Sequence, residues 1–144
     1  YWLEPTLRCN TSGQKFIEVI RTPVKILFSQ QHYILNLLYK FGMTNCKLVS
    51  TPLDCNLKID GNSGNYRVQA NKYGQLIGNL IYLTITRPDL SYSDCLLSQF
   101  MQKPQNVHLD CAKRIFRYVN TTIDYDIMYK FDTILQLEGY TNVD

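Results

Sequence analysis

The sequence predicts an α+β fold: a β-hairpin, then about four helices, then a C-terminal β-hairpin. Three observations predict it. Phe16–Arg21 (FIEVIR) alternates and is rich in β-branched residues, the pattern of a half-buried strand. Over residues 33–41 and again from 70 to 119 the apolar residues instead recur at helical spacing. After Tyr125 the alternation returns. With 144 residues, 45% hydrophobic and 19% charged, the chain is long enough to bury a core and too apolar for disorder.

Taken in order, residues 1–15 match no element. Thr22-Pro23-Val24-Lys25 supplies a turn, with Pro23 fixing φ, and Ile26-Leu27-Phe28 returns as the second strand. Ser29 is placed to cap a helix whose stripe is Tyr33, Ile34, Leu37, Leu38 and Phe41. Lys40 suits the negative end of the helix dipole, and Gly42 is the left-handed stop. Met43 to Asp60 reads as extended, and Gly61–Asn65 as a surface loop. A second helix is expected over Ala70–Ile85, with Tyr73, Leu76, Ile77, Leu80, Ile81 and Thr84 on one face. Gly74 and Gly78 on it would admit a close neighbour. Thr86 and Asp89 fit a capping box, with Pro88 tolerated in the first turn. The third helix then carries Leu90, Leu97, Phe100 and Met101 and stops before Pro104. Asn106 caps the fourth. Its apolar face is Ala112, Ile115, Phe116 and Val119, and Asp110–Arg114 makes an i,i+4 pair on its polar face. Tyr125–Phe131 and Ile134–Tyr140, joined at Asp132-Thr133, form the closing hairpin, whose strands are expected to lack further sheet partners.

No apolar run reaches the roughly 18 residues of a membrane span, and the N-terminal residues do not resemble a signal peptide. The chain lacks an initiator Met, which reads as a piece of a longer protein. The five cysteines form no even, closely spaced set, so a reduced, intracellular chain is expected. His108 and Cys111 lie three apart, but no second pair completes a zinc set.

Net charge is +3. Residues 1–60 hold seven Lys/Arg against four Asp/Glu, and residues 61–144 are balanced at eight each. This permits a nucleic-acid partner without requiring one. Lys25 at the hairpin turn, Gln30 and Lys40 on the first helix, and Lys113 and Arg117 on the fourth are candidate phosphate contacts. Solvated polar faces are the alternative reading. The eleven tyrosines offer base-stacking surface, or core and rim packing. Catalytic signals are sparse. His32 and His108 have no evident partner, and no Gly-rich phosphate loop occurs. Glu138 and Asp144 are the carboxylates nearest to a possible Mg2+ site.

Three phrases in order carry a resemblance: "IEVIRTP…ILFSQQHYILNLLYKFGMTNCKLVSTPLD", "LIGNLIYLTITRPDLSYSDCLLSQFMQKPQNVHLDCAKRIFRYV" and "LQLEGYTNVD". The chain resembles the Pol polyprotein of copia-type long-terminal-repeat retrotransposons over about residues 16–144. The resemblance implies a domain layout: residues 16–131 similar to the reverse transcriptase hairpin plus thumb and connection, and 132–144 similar to the start of a truncated RNase H domain. It implies an incomplete part of a reverse transcriptase/RNase H assembly, holding an RNA–DNA or DNA duplex and packed with the remainder of the polyprotein, away from membranes. Arg87, in the Thr-Arg-Pro-Asp corner, joins the candidate phosphate contacts, with a structural role as its alternative. The family's Tyr-x-Asp-Asp polymerase turn does not occur in the sequence. No cofactor is expected in this fragment, whereas the parent enzyme would use Mg2+. The chain alone is therefore expected neither to polymerise nor to cleave.

The departures from the family pattern are specific. Asn142 occupies the position of the first RNase H aspartate, and an amide is a weaker Mg2+ ligand than a carboxylate. Lys15-Phe16-Ile17-Glu18-Val19 lacks the usual Leu-Gly. Val119-Asn120-Thr121 replaces Leu-Lys-Gly, and Tyr73-Gly74 replaces Tyr-Arg. Two other readings stand beside the duplex-holding one: a decayed retroelement relic, and a stand-alone nucleic-acid-binding module.

Overall fold

The computed structural model describes residues 17–54 and 69–131. Strands β1 (Glu18–Arg21) and β2 (Lys25–Ser29) are followed by helices α1 (Gln31–Lys40) and α2 (Ala70–Leu83). A 3-10 turn (Pro88–Leu90) leads into α3 (Ser91–Ser98), then α4 (Asn106–Thr121) and strand β3 (Ile127–Lys130). The three strands form one antiparallel sheet in the order β1-β2-β3. The mixed α+β class read from the sequence is the class of the fold.

The β1–β2 hairpin closes through Thr22. Its backbone N–H donates to the Lys25 carbonyl at 2.8 Å, and its Oγ1 accepts from the Lys25 N–H at 3.1 Å. The Thr22 side chain thereby satisfies the Lys25 N–H inside the turn, where Pro23 fixes the backbone φ. Helix α1 buries Tyr33, Ile34, Leu37 and Leu38 as the stripe predicts. It ends on Gly42 at φ 65°. The Gly42 N–H donates to Tyr39 O and the Met43 N–H to Leu38 O, a Schellman closure that also tucks Met43 into the core.

The core lies among the helices. Tyr73, Leu76, Ile77, Leu80 and Leu83 of α2 meet Leu90 of the 3-10 turn, Leu97 of α3 and Cys111, Ala112, Ile115, Phe116 and Val119 of α4. None of its apolar side chains comes from the three strands. Residues 43–54 lie along α4, tied by Val49 N–H donating to Thr121 Oγ1 at 3.2 Å and by Arg114 Nη2 donating to Thr51 Oγ1 at 3.0 Å.

Several local expectations are corrected. Gln30, not Ser29, holds the cap position of α1, although Ser29 Oγ still accepts from the Gln31 N–H at 3.3 Å. Helix α2 stops at Leu83, so Leu83 is buried while Ile81 is 45% exposed. Met101 lies 3.6 Å from where a Cβ on Gly74 would sit, whereas nothing approaches Gly78. The α3 helix ends at Ser98, leaving Phe100 half-buried and Met101 exposed. Gln105 precedes α4 in place of Asn106, and its N–H donates to Nδ1 of His108 at 3.1 Å. Asp110 pairs with Lys113 and Arg114 with Asp54, so the Asp110–Arg114 pair does not form.

The closing strand is shorter than expected, and it is not left without a partner: β3 pairs with β2, with Phe28 opposite Ile127 and Ile26 opposite Tyr129. A local reading pairs sequence neighbours, but here the strand returns across the helices to the first hairpin. Residues 1–16, the Gly61–Asn65 loop, the Asp132–Thr133 turn and Ile134–Tyr140 lie outside the described residues.

Two glycine substitutions separate these roles. Gly42→Ala forces a side chain into left-handed backbone and lowers stability by about 1–2 kcal/mol. Gly78→Ala, in an open helical position, raises it by about 0.5–1 kcal/mol. Chemical denaturation of the two variants measures both.

Candidate nucleic-acid interface

Of the six candidate phosphate contacts, the structure turns two inward. Arg87 is 1% exposed and Gln30 2%. Arg87 Nε donates to Asp89 Oδ1 at 3.0 Å and Nη2 to Asp89 Oδ2 at 2.8 Å, a two-pronged grip on one carboxylate. Nη1 donates to the Thr122 carbonyl at 2.9 Å and Nη2 to Thr122 Oγ1 at 2.6 Å, just past the end of α4. The guanidinium also lies over the rings of Tyr118 and Tyr125, at 5.6 and 5.3 Å. Its donors are consumed inside the protein, so Arg87 is not available to a phosphate.

This grip also explains why Thr86 and Asp89 form no capping box. The Asp89 carboxylate is taken by Arg87 and by the Tyr118 hydroxyl, which donates at 3.0 Å. The Thr86 hydroxyl instead donates to Gln30 Oε1 at 2.6 Å, and Gln30 Nε2 donates to the Tyr82 carbonyl at 3.4 Å. Gln30, Thr86 and Arg87 therefore form an interior corner joining the start of α1, the end of α2 and the end of α4. Burial pushes the Asp89 carboxyl up, but the Arg87 hydrogen bonds and charge, with Tyr118, outweigh it and hold the carboxyl below its ordinary value. The resulting stabilisation is present above about pH 4 and is lost as the pH falls through the lowered value.

The remaining four candidates stay at the surface on three elements. Lys40 is exposed at the end of α1, over the Phe41 ring. Lys113, half-exposed, is 3.6 Å from Asp110. Arg117 is half-buried on α4. Lys25 opens β2, directly opposite Lys130 of β3. Arg21 ends β1 beside them, its guanidinium 5.9 Å from the Phe131 ring centre. Arg21, Lys25 and Lys130 thus gather at one end of the sheet, and among the described residues none has a carboxylate partner. Sequence reading missed Lys130 and Arg21, because their proximity to Lys25 exists only once β3 pairs with β2.

An open groove of about 460 Å³ borders this end, lined by Ile26, Phe28, Ile85, Thr86, Ile127 and Tyr129. Phe28 and Tyr129 meet edge to face at 5.7 Å. Among the tyrosines, Tyr33 and Tyr73 are core residues, whereas Tyr39, Tyr92, Tyr125 and Tyr129 are largely exposed. His108 and Cys111 are both buried on the inner side of α4, with His108 stacked on Phe100 at 4.0 Å and burial lowering its pKa. No three His, Cys, Asp or Glu side chains gather to hold a metal ion among the described residues. Asn142, Glu138 and Asp144 lie outside those residues. No described helix is long and apolar enough to cross a membrane.

Comparison with known proteins decides the family. The chain is 39% identical over 128 residues to the retrovirus-related Pol polyprotein from transposon RE1 of Arabidopsis thaliana, covering 89% of this chain and 9% of that protein. It is 35% identical over 140 residues to the Pol polyprotein from transposon TNT 1-94 of Nicotiana tabacum, covering 92% of the chain and 10% of the relative. The chain belongs to the copia-type retrotransposon Pol polyproteins. It spans about a tenth of the length of these relatives. It is also 31% identical to an uncharacterised mitochondrial protein of Arabidopsis thaliana, of which it covers 53%. No family model and no solved structure matches the chain.

One further group in this Pol segment was not singled out from the sequence. Asp94 is 2% exposed on α3, and among the described residues neither carboxylate oxygen has a hydrogen-bond partner. Burial raises its pKa to about 7. Because the folded value lies above the unfolded one, this group favours the fold fully below about pH 4. Its contribution declines as the pH rises to about 7.

Two variants test the interior polar groups. Arg87→Ala strands the Thr122 carbonyl and lowers stability by on the order of 3 kcal/mol, while Arg87→Lys, lacking the fork, recovers less than half. Asp94→Asn removes the buried charge and raises stability at pH 8 by on the order of 2–4 kcal/mol, a gain that shrinks toward pH 4. Denaturant unfolding across that pH range reads both.

Proposed function

We propose that this chain is the non-catalytic segment of a retrotransposon RNA-directed DNA polymerase that holds the primer–template duplex. The observation that carries the proposal is the match to Pol polyproteins along about nine-tenths of the chain. In this reading the hairpin and helices correspond to the primer-positioning hairpin, thumb and connection, the chain after residue 131 opens the RNase H domain, and the rest of the polyprotein packs beside it. Lys25, Lys40, Lys113 and Arg117 are the phosphate partners retained from the sequence reading, and Arg21 and Lys130 join them. Such contacts set position and affinity without reading base sequence. Mg2+ belongs to the catalytic parts of the parent enzyme.

Asn142, standing where the family has an aspartate, favours a competing reading, a decayed copy that has lost its role. Binding separates the two. The purified chain is titrated against a labelled RNA–DNA hybrid by fluorescence anisotropy. Micromolar affinity is expected at the lower salt, and engagement of all six cations would make it fall on the order of 1,000-fold between about 50 and about 200 mM salt. A folded chain that shows no binding at the lower salt would leave the decayed copy as the better account.

A further inference from the structure

We propose that the open face of the sheet is a docking surface for a second copy of this chain. The two copies pack face to face about a two-fold axis, each setting the basic end of its sheet over the acidic end of the other. The inference is independent of the duplex reading.

The register sorts the side chains. They alternate along a strand, so Glu18 and Ile20, Lys25 and Leu27, and Met128 and Lys130 project to one face, opposite to Phe28 and Tyr129. Ile20, Leu27 and Met128 are direct cross-strand partners and form an apolar row over all three strands. Ile20 is 37% exposed and Met128 45%, with Leu27 half-buried between them. Among the described residues, no strand side chain joins the helical core or the apolar residues packed on it. The groove walled by Ile85 and Thr86 lies on the other face, that of Phe28 and Tyr129.

Charge selects a second copy over other apolar partners. On one side of the row Lys25 and Lys130 stand directly opposite each other, and among the described residues neither has a carboxylate partner. On the other side Glu18 opens β1, and the exposed Asp126 immediately precedes β3. Glu18 also meets His32, and both stay open to solvent, their side chains 39% and 72% exposed. Along the strands the face thus runs from basic through apolar to acidic. Such a surface is complementary to itself. A half-turn about an axis in the plane of the sheet and perpendicular to the strands lays apolar row on apolar row. It brings each lysine pair against the other copy's Glu18 and Asp126, relieving the repulsion between the two lysines. The strands of the two copies stay roughly aligned, one of the two ways in which sheets stack. The patch is much smaller than the roughly 20–30 residues a side of a standard interface, so the dimer is weak. A duplex and the second copy compete for the two lysines.

The test is sedimentation equilibrium of the full chain, free of nucleic acid, from about 10 µM to about 1 mM, the range in which so small an interface associates. A monomer–dimer equilibrium is expected. Lys25→Glu with Lys130→Glu makes the face acidic at both ends, and Glu18→Lys with Asp126→Lys makes it basic at both ends. Each of these variants alone dimerises about tenfold more weakly, and an equimolar mixture of the two restores the dimer, because every end again meets its opposite. Met128→Gln, at an exposed position and without a change of charge, weakens association about fivefold. A chain that stays monomeric throughout overturns the inference and leaves the apolar row to another segment of the polyprotein. A dimer that persists in both charge variants overturns it in favour of another contact, such as a strand edge. Folded charge variants that stay monomeric when mixed, or association unchanged by Met128→Gln, overturn it as well.

Discussion

The structure depends on one buried guanidinium. Arg87 sits where α2 ends and the 3-10 turn begins, and it holds the end of α4 through Thr122 and its own turn through Asp89. A buried charge is tolerated only when its donors are satisfied. Here four donor contacts, two to Asp89 and two to Thr122, meet that demand. The aromatic rings of Tyr118 and Tyr125 cover it. The consequence reaches the sheet. Tyr125 leads from the end of α4 into β3, so fixing Thr122 also fixes where the third strand begins. Ile123, packed against the helical core, holds the same connection from the apolar side.

The helices and the sheet are stabilised differently. The helices share a closed apolar core and lose little to solvent. The sheet has backbone pairing, a small groove and half-exposed rings. Its cohesion comes from the ladder and from Thr22 in the turn rather than from burial. A surface of that kind has its polar and aromatic groups on offer to a ligand, which is where binding sites are expected when a rigid body supports them. The cations at the sheet end fit this division of labour. They make no contribution to the core, and Lys25 facing Lys130 weakens the ladder slightly.

Asp94 shows the same tension inside the core. A carboxylate with no partner disfavours the folded state wherever it must be ionised. It stands on the buried side of α3, next to the buried Ser93. Arg87 and Asp94 thus form a contrast: two buried charged residues ten or fewer residues apart in sequence, one fully partnered and one not.

What the sequence by itself determined is the local periodicity and its punctuation. The stripe Tyr33, Ile34, Leu37, Leu38, the stop at Gly42, the turn at Thr22-Pro23 and the inner face of α4 were all legible, because each depends on spacing within one or two turns of chain. The family, too, was legible in the Thr-Arg-Pro-Asp phrase and its neighbours. The tertiary structure alone decided the fate of the polar residues. Arg87 and Gln30 look like surface phosphate contacts until Thr122 and Thr86, 35 and 56 residues from them, close over them. Lys130 becomes a candidate only when β3 crosses back to β2. Burial and charge proximity are properties of distant segments meeting, and no local pattern carries them.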